Sequence, residues 1–189
     1  TLYLILSVWG GLISTFFSVM MRIELVSPQN KYIIEEVVYN NAVTSHSLVM
    51  IFFFLMPTLI SSFGNWLIPL YMSVPDMAFP RMNNLSFWLL LPAVLFVLMS
   101  SLSGSSFSGG WTLYPPLSSK LGTPSMSMDY MIFAVHLASA SSIMGSVNFM
   151  STIIVFSGKS FDMGNIPLLI WAFFMTVYLL VFSLPVLAA

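Results

Sequence analysis

Five stretches of this sequence are each close to twenty residues long or longer and almost continuously apolar: 2–21, 42–72, 85–103, 128–156 and 167–189. A helix needs roughly 20 such residues to cross about 30 Å of hydrocarbon. The first stretch is broken only by small polar residues and by Gly10 and Gly11. The second is long enough to tilt, and Pro57 and Pro69 predict kinks in it. The third is apolar without a break only over 87–102, so it must recruit residues near Leu85 or Ser103. Pro167 suits the first turn of the fifth, where a missing N–H costs nothing.

Charge distribution supports the same reading. Only 6% of the 189 residues are charged, whereas a soluble domain carries about 25%. Such a chain cannot cover a water-facing surface, so its solvent is mostly lipid. Nearly all the charge falls in the short linkers, as expulsion from hydrocarbon requires. The expected fold is an all-α, polytopic transmembrane helix bundle, one membrane domain over 1–189 with no repeat and no soluble domain. Both ends fall inside apolar runs, which predicts a partial or split chain. Basic residues do not orient it: Arg22, Lys31 and Lys120 on one side stand against Arg81 and Lys159 on the other. A net charge of -1 leaves no basic patch for nucleic acid. The chain has no cysteine, which removes disulfides and thiolate metal sites.

Ionisable groups inside an apolar span mark function by default. His46, near the start of the second span, is either a metal ligand or a histidine bonded to a neighbouring helix. His136 is the only other histidine, and two histidines do not close a metal site. A tetrapyrrole needs only one or two axial ligands, so haem suits this inventory better than a free ion. Arg22 closes the first span, as an interfacial anchor or as a donor to a polar ring substituent. Asp76 and Arg81 bracket the densest motif, Pro75-Asp76-Met77-Ala78-Phe79-Pro80-Arg81-Met82-Asn83-Asn84. Asp76 there is either a proton-collecting carboxylate or the partner of Arg81 in a loop. Asn65, Ser141, Ser142 and Asn148 either hold a chain of water or bond across helices. Ala134, Ala138, Ser141 and Gly145 recur at helical spacing, which predicts an interior helix in the fourth span. Trp111 and Tyr114, beside Pro115 and Pro116, read as an interfacial aromatic belt, with the Trp111 N–H free to donate to an acid group.

In their literal strings and order these segments resemble subunit I of the haem–copper oxidases of the cytochrome c oxidase type. The matching strings are Val43-Thr44-Ser45-His46-Ser47-Leu48-Val49-Met50-Ile51-Phe52-Phe53, Phe63-Gly64-Asn65-Trp66-Leu67-Ile68-Pro69-Leu70 and the decapeptide around Asp76 with Ser86-Phe87-Trp88. Two more are Gly110-Trp111-Thr112-Leu113-Tyr114-Pro115-Pro116-Leu117 and Leu184-Pro185-Val186-Leu187-Ala188-Ala189. The resemblance implies the first five helices of a twelve-helix fold that holds two haems and a copper. It implies His46 as an axial ligand of low-spin haem a, Arg22 as a donor to that haem's formyl group with Ser18 nearby, and Tyr39 and Trp111 on the propionates. It implies Asp76 as the mouth of a proton-uptake channel, with Asn65, Asn83, Ser141, Ser142 and Asn148 along it. The ligands of the second haem and of copper would lie beyond Ala189. The implied setting is the mitochondrial inner membrane, with the rest of subunit I, other oxidase subunits, the bilayer and cytochrome c as partners.

The sequence departs from that family in the linker Ser27-Pro28-Gln29-Asn30-Lys31, which reads differently and one residue longer, so the family's peripheral cation site is not carried over. The linker from Gly104 to Gly109 is rich in serine. A quinol oxidase of the same superfamily and a cofactor-free transporter or channel are the rival readings.

Overall fold

A computed structural model describes residues 1–26, 36–103, 107, 109–160 and 163–188. Five helices follow one another: α1 (Leu2–Glu24), α2 (Glu36–Tyr71), α3 (Pro80–Leu102), α4 (Ser127–Ser160) and α5 (Leu168–Ala188). All five are long and apolar enough to cross a membrane, and the described residues contain no strand. The linker residues 27–31 lie outside the described residues, as do Gly104 to Ser106 and Ser108.

The helix bounds differ from the sequence expectation at the starts of α2, which is already helical at Glu36 and not only from 42, and of α3. Helix α3 begins at Pro80, not near Leu85. Pro80 supplies the fixed φ of a first turn, and the polar run Arg81 to Asn84 continues as helix toward the aqueous edge. Pro167 precedes α5, and its carbonyl accepts the amide of Trp171 at 3.2 Å, so it caps the helix from outside. The prolines of α2 do not break it. Val49 passes directly into wide, π-helical turns over Met50–Leu55 and Pro57–Ser62 before ordinary helix resumes at Phe63. Wide turns of this kind relieve a proline that can neither donate nor fit under the preceding carbonyl.

Packing follows the small residues. The inner stripe of α1 is Tyr3, Ser7, Gly10, Ser14 and Phe17. A Cβ on Gly10 would lie 2.5 Å from the Phe53 carbonyl oxygen, so α1 crosses α2 in backbone contact. That close approach is how helices gain contact where lipid offers no hydrophobic drive between them. On α4, Ala134, Ala138 and Ser141 are buried as the sequence predicts. Gly145 is not part of that contact, since nothing lies within 4 Å of where its Cβ would stand. Helix α4 sits between α3 and α5. One core cluster joins Phe87, Leu90 and Ala93 of α3 to Met131 and Ala134 of α4 and reaches Leu184 of α5. A second joins the end of α2 to Phe149, Ile153 and Ile170. The outward faces of α1 and α5 carry exposed Trp9, Phe16, Leu179 and Phe182, the pattern of a lipid-facing surface.

Candidate functional site

His46 is half-buried against α1. Its Nδ1 lies 2.8 Å from the Ser14 carbonyl oxygen and 2.9 Å from Ser14 Oγ. The Ser14 hydroxyl in turn donates to the His46 carbonyl at 3.1 Å. A carbonyl oxygen only accepts, so Nδ1 carries the ring proton and the hydroxyl accepts its second share. The lone pair therefore resides on Nε2, which has no hydrogen-bond partner among the described residues. Fixing the tautomer through the remote nitrogen is how proteins prepare a histidine to bind a metal.

The other candidates of this end share two stripes. Ser18 and Arg22 continue the line of Gly11 and Thr15 on α1, and Tyr39 and His46 continue that of Val43 and Met50 on α2. Ser18, Tyr39 and His46 are half-buried, whereas Arg22, Thr15 and Val43 are exposed. Trp111 is exposed, and its loop reaches α2 through the Gly110 amide, which donates to Thr44 Oγ1 at 3.2 Å. A cleft of about 530 Å³ opens on the opposite flank of α1, between Trp9, Phe16, Ala42 and Leu98. It contains none of the candidate residues. His136 is exposed and turns its Nδ1 to the carbonyl of its own helix at Ile132. Among the described residues no three histidine or acidic side chains gather as a metal cluster.

At the other end of α2, Asp76 is exposed and accepts the amide of Met77 at 2.7 Å. Among the described residues it forms no ion pair with Arg81, which the start of α3 carries. Asp76 lines a cleft of about 290 Å³ with Tyr3, Ser62, Asn65, Asn83 and Asn84. Behind it, Asn65 and Asn83 exchange both amide bonds, at 3.3 and 3.0 Å, joining α2 to α3. One turn deeper, Ser86 donates to the Asn83 carbonyl at 2.7 Å and meets the Tyr3 hydroxyl. The Ser141 hydroxyl then donates to the Ser86 carbonyl. A polar line thus runs from Asp76 through the asparagine pair to Ser141, with half-buried Ser142 beside its end.

Asn148 has a different setting. Its Oδ1 accepts the Phe79 amide at 2.9 Å, and Thr152 one turn on accepts the Ala78 amide at 3.0 Å. Together they hold the loop behind Asp76 onto α4. The Asn148 Nδ2 is buried without a partner, which suits a site for water. Sequence reasoning missed Ser14, Tyr3, Ser86, Thr44 and Thr152. Ser86 carries a faint signal, three residues after Asn83 on the same helical face. The other four are revealed only by contacts between helices and loops distant in sequence.

Comparison with known proteins agrees with the helical membrane fold. The family described as cytochrome c and quinol oxidase polypeptide I matches residues 1–189. The chain is 44% identical over all 189 residues to cytochrome c oxidase subunit 1 of Candida albicans and to that of Pecten maximus. It spans 36% and 39% of the length of those two relatives. With the whole chain matched, this multi-pass membrane protein belongs to the cytochrome c and quinol oxidase polypeptide I family.

Proposed function

We propose that this chain supplies the low-spin haem a ligand and the start of the proton-uptake path in the catalytic subunit of a cytochrome c oxidase, which reduces oxygen to water and pumps protons. The observation that carries this reading is the His46 tautomer: Nδ1 is tied to Ser14 and Nε2 is left with a free lone pair. That donor set fits haem, to which His46 would contribute one imidazole nitrogen. When bound, the haem accepts and releases single electrons.

In this reading the residues of the chain orient and compensate. His46 offers Nε2 to the iron, and Ser14 holds the ring in place. Arg22 donates to the formyl substituent beside Ser18, where a fixed cation also favours an electron-rich ring. Tyr39 and Trp111 donate to the propionates. Asp76 collects protons from water, and Asn65 and Asn83 order the water behind it. Ser141 and Ser142 continue that path, and Asn148 holds its loop wall. The Asp76 end then faces the matrix of the mitochondrion and the loop after α1 the intermembrane side. Ligands of the second haem and of copper come from the remaining part of subunit I, and other subunits and cytochrome c complete the electron route.

His46→Ala tests the assignment in the assembled oxidase. A methyl group cannot replace an axial ligand, so the low-spin haem signal of the visible spectrum should vanish. A normal six-coordinate spectrum in the variant refutes it. Family membership favours this redox class over a cofactor-free transporter, and the names of the relatives favour cytochrome c over quinol as donor.

A further inference from the structure

Thr44 precedes His46 by two residues and is 1% exposed. Its Oγ1 donates to the Asn40 carbonyl of its own helix at 2.8 Å, which leaves lone pairs to accept another bond. One of them takes the Gly110 N–H at 3.2 Å, tying α2 to a loop 66 residues further along. Gly110 has φ +77°, a left-handed conformation open to a residue without Cβ. Its carbonyl accepts the Leu113 amide at 3.2 Å and closes a tight turn with Trp111 at its head. Gly110 is thus held at both ends, by α2 through its amide and by its own turn through its carbonyl. Among the described residues Trp111 itself makes no hydrogen bond and is 53% exposed, so the turn anchored at Gly110 sets where its backbone stands.

The helix cannot turn to follow a drifting loop. Ser45, the next residue, shares a hydrogen bond with Ser101 of α3 at 2.9 Å and donates to Asn41 at 3.3 Å. His46 itself is bonded to Ser14 of α1. Three successive residues of one turn therefore reach the loop, α3 and α1. Any displacement of the Trp111 loop is a displacement relative to the His46 ring.

We infer that Thr44 is a positioning residue: its hydroxyl sets the Trp111 indole N–H against His46, and so against the haem propionate that Trp111 meets. The inference rests on the proposed roles of His46 and Trp111. Thr44→Val keeps the side-chain shape and removes the acceptor, leaving the Gly110 amide unpaired. Thr44→Ser keeps the hydroxyl.

Two measurements on the assembled oxidase test it. Hydrogen exchange of the segment 109–118 should quicken about tenfold in Thr44→Val and return to the parent rate in Thr44→Ser, because local opening tracks the lost bond. The midpoint potential of the low-spin haem should fall in Thr44→Val alone. A propionate that loses its indole donor keeps more negative charge beside the iron, which favours the oxidised form. Unchanged exchange overturns the tie, and quickened exchange with an unchanged potential overturns the positioning role. If the parent enzyme shows no low-spin haem, the reading of His46 fails, and the potential half of this inference fails with it, whereas the exchange measurement still reports the tie.

Discussion

At the scale of single residues, the two ends of α2 ask for opposite properties. His46 needs a neutral ring with one nitrogen committed and the other free, and a backbone carbonyl provides this without any charge. The proton-collecting role proposed for Asp76 asks for water, and its exposed position with a single amide bond leaves it in contact with water. Asp76→Asn keeps the Met77 bond through the amide oxygen, so the fold should survive. Proton uptake in oxidase-containing vesicles should slow at least several-fold while the haem spectra stay intact. Unchanged pumping would make Asp76 a loop residue only. Much of this chemistry is legible in the sequence, because an ionisable side chain inside or beside an apolar span has few innocent reasons to be there. His46 and Asp76 stand out in that way as candidates. Ser14 and Tyr3 do not, since a hydroxyl on an apolar helix is common and only the partner across the interface gives it meaning. Asn148 is a mixed case: the sequence marks it as polar and interior, and the structure gives it a loop to hold.

At the scale of elements, the spans themselves follow from hydrocarbon thickness and could be read directly. Their details could not, for two physical reasons. Polar residues at a helix end look like a loop when the helix extends past the apolar slab, which hid the first turn of α3 at Pro80. Hydrophobic periodicity fades when every face is apolar, so Pro57 alone hinted at the wide turns of α2. The contact of α1 with those turns gives a sharp expectation. Gly10→Ala places a methyl group 2.5 Å from the Phe53 carbonyl oxygen, and backbone atoms cannot swing aside as a side chain can. The variant should lose about 1–3 kcal/mol, read as a lower detergent or thermal midpoint of the assembled oxidase. An unaltered midpoint would mean that α1 shifts freely on α2.

For the whole molecule, five helices lie side by side with α4 between two neighbours and with α1 and α5 showing broad apolar flanks. Those flanks explain why so hydrophobic a chain buries so few of its large side chains: lipid or further helices cover the remainder. The choice of electron donor belongs to this scale, because no residue of the two candidate ends distinguishes a haem protein from a quinol. The relatives that match over the full chain are cytochrome c oxidases, so the purified complex should turn over with reduced cytochrome c and not with a quinol. Turnover with quinol alone would reassign the donor without bearing on the roles proposed for His46 and Asp76.

The broad coils in the middle of α2 carry a consequence for how this protein tolerates change. They advance the helix through fewer degrees per residue than ordinary coils, so they govern the angle between the half that carries His46 and the half that carries Asn65. A single deletion between Met50 and Ser62 that tightened one of them would leave His46, Asn65 and Asp76 themselves unchanged. It would still swing Asn65 away from Asn83, or His46 away from Ser14, as one end of a bent key swings when the other is held.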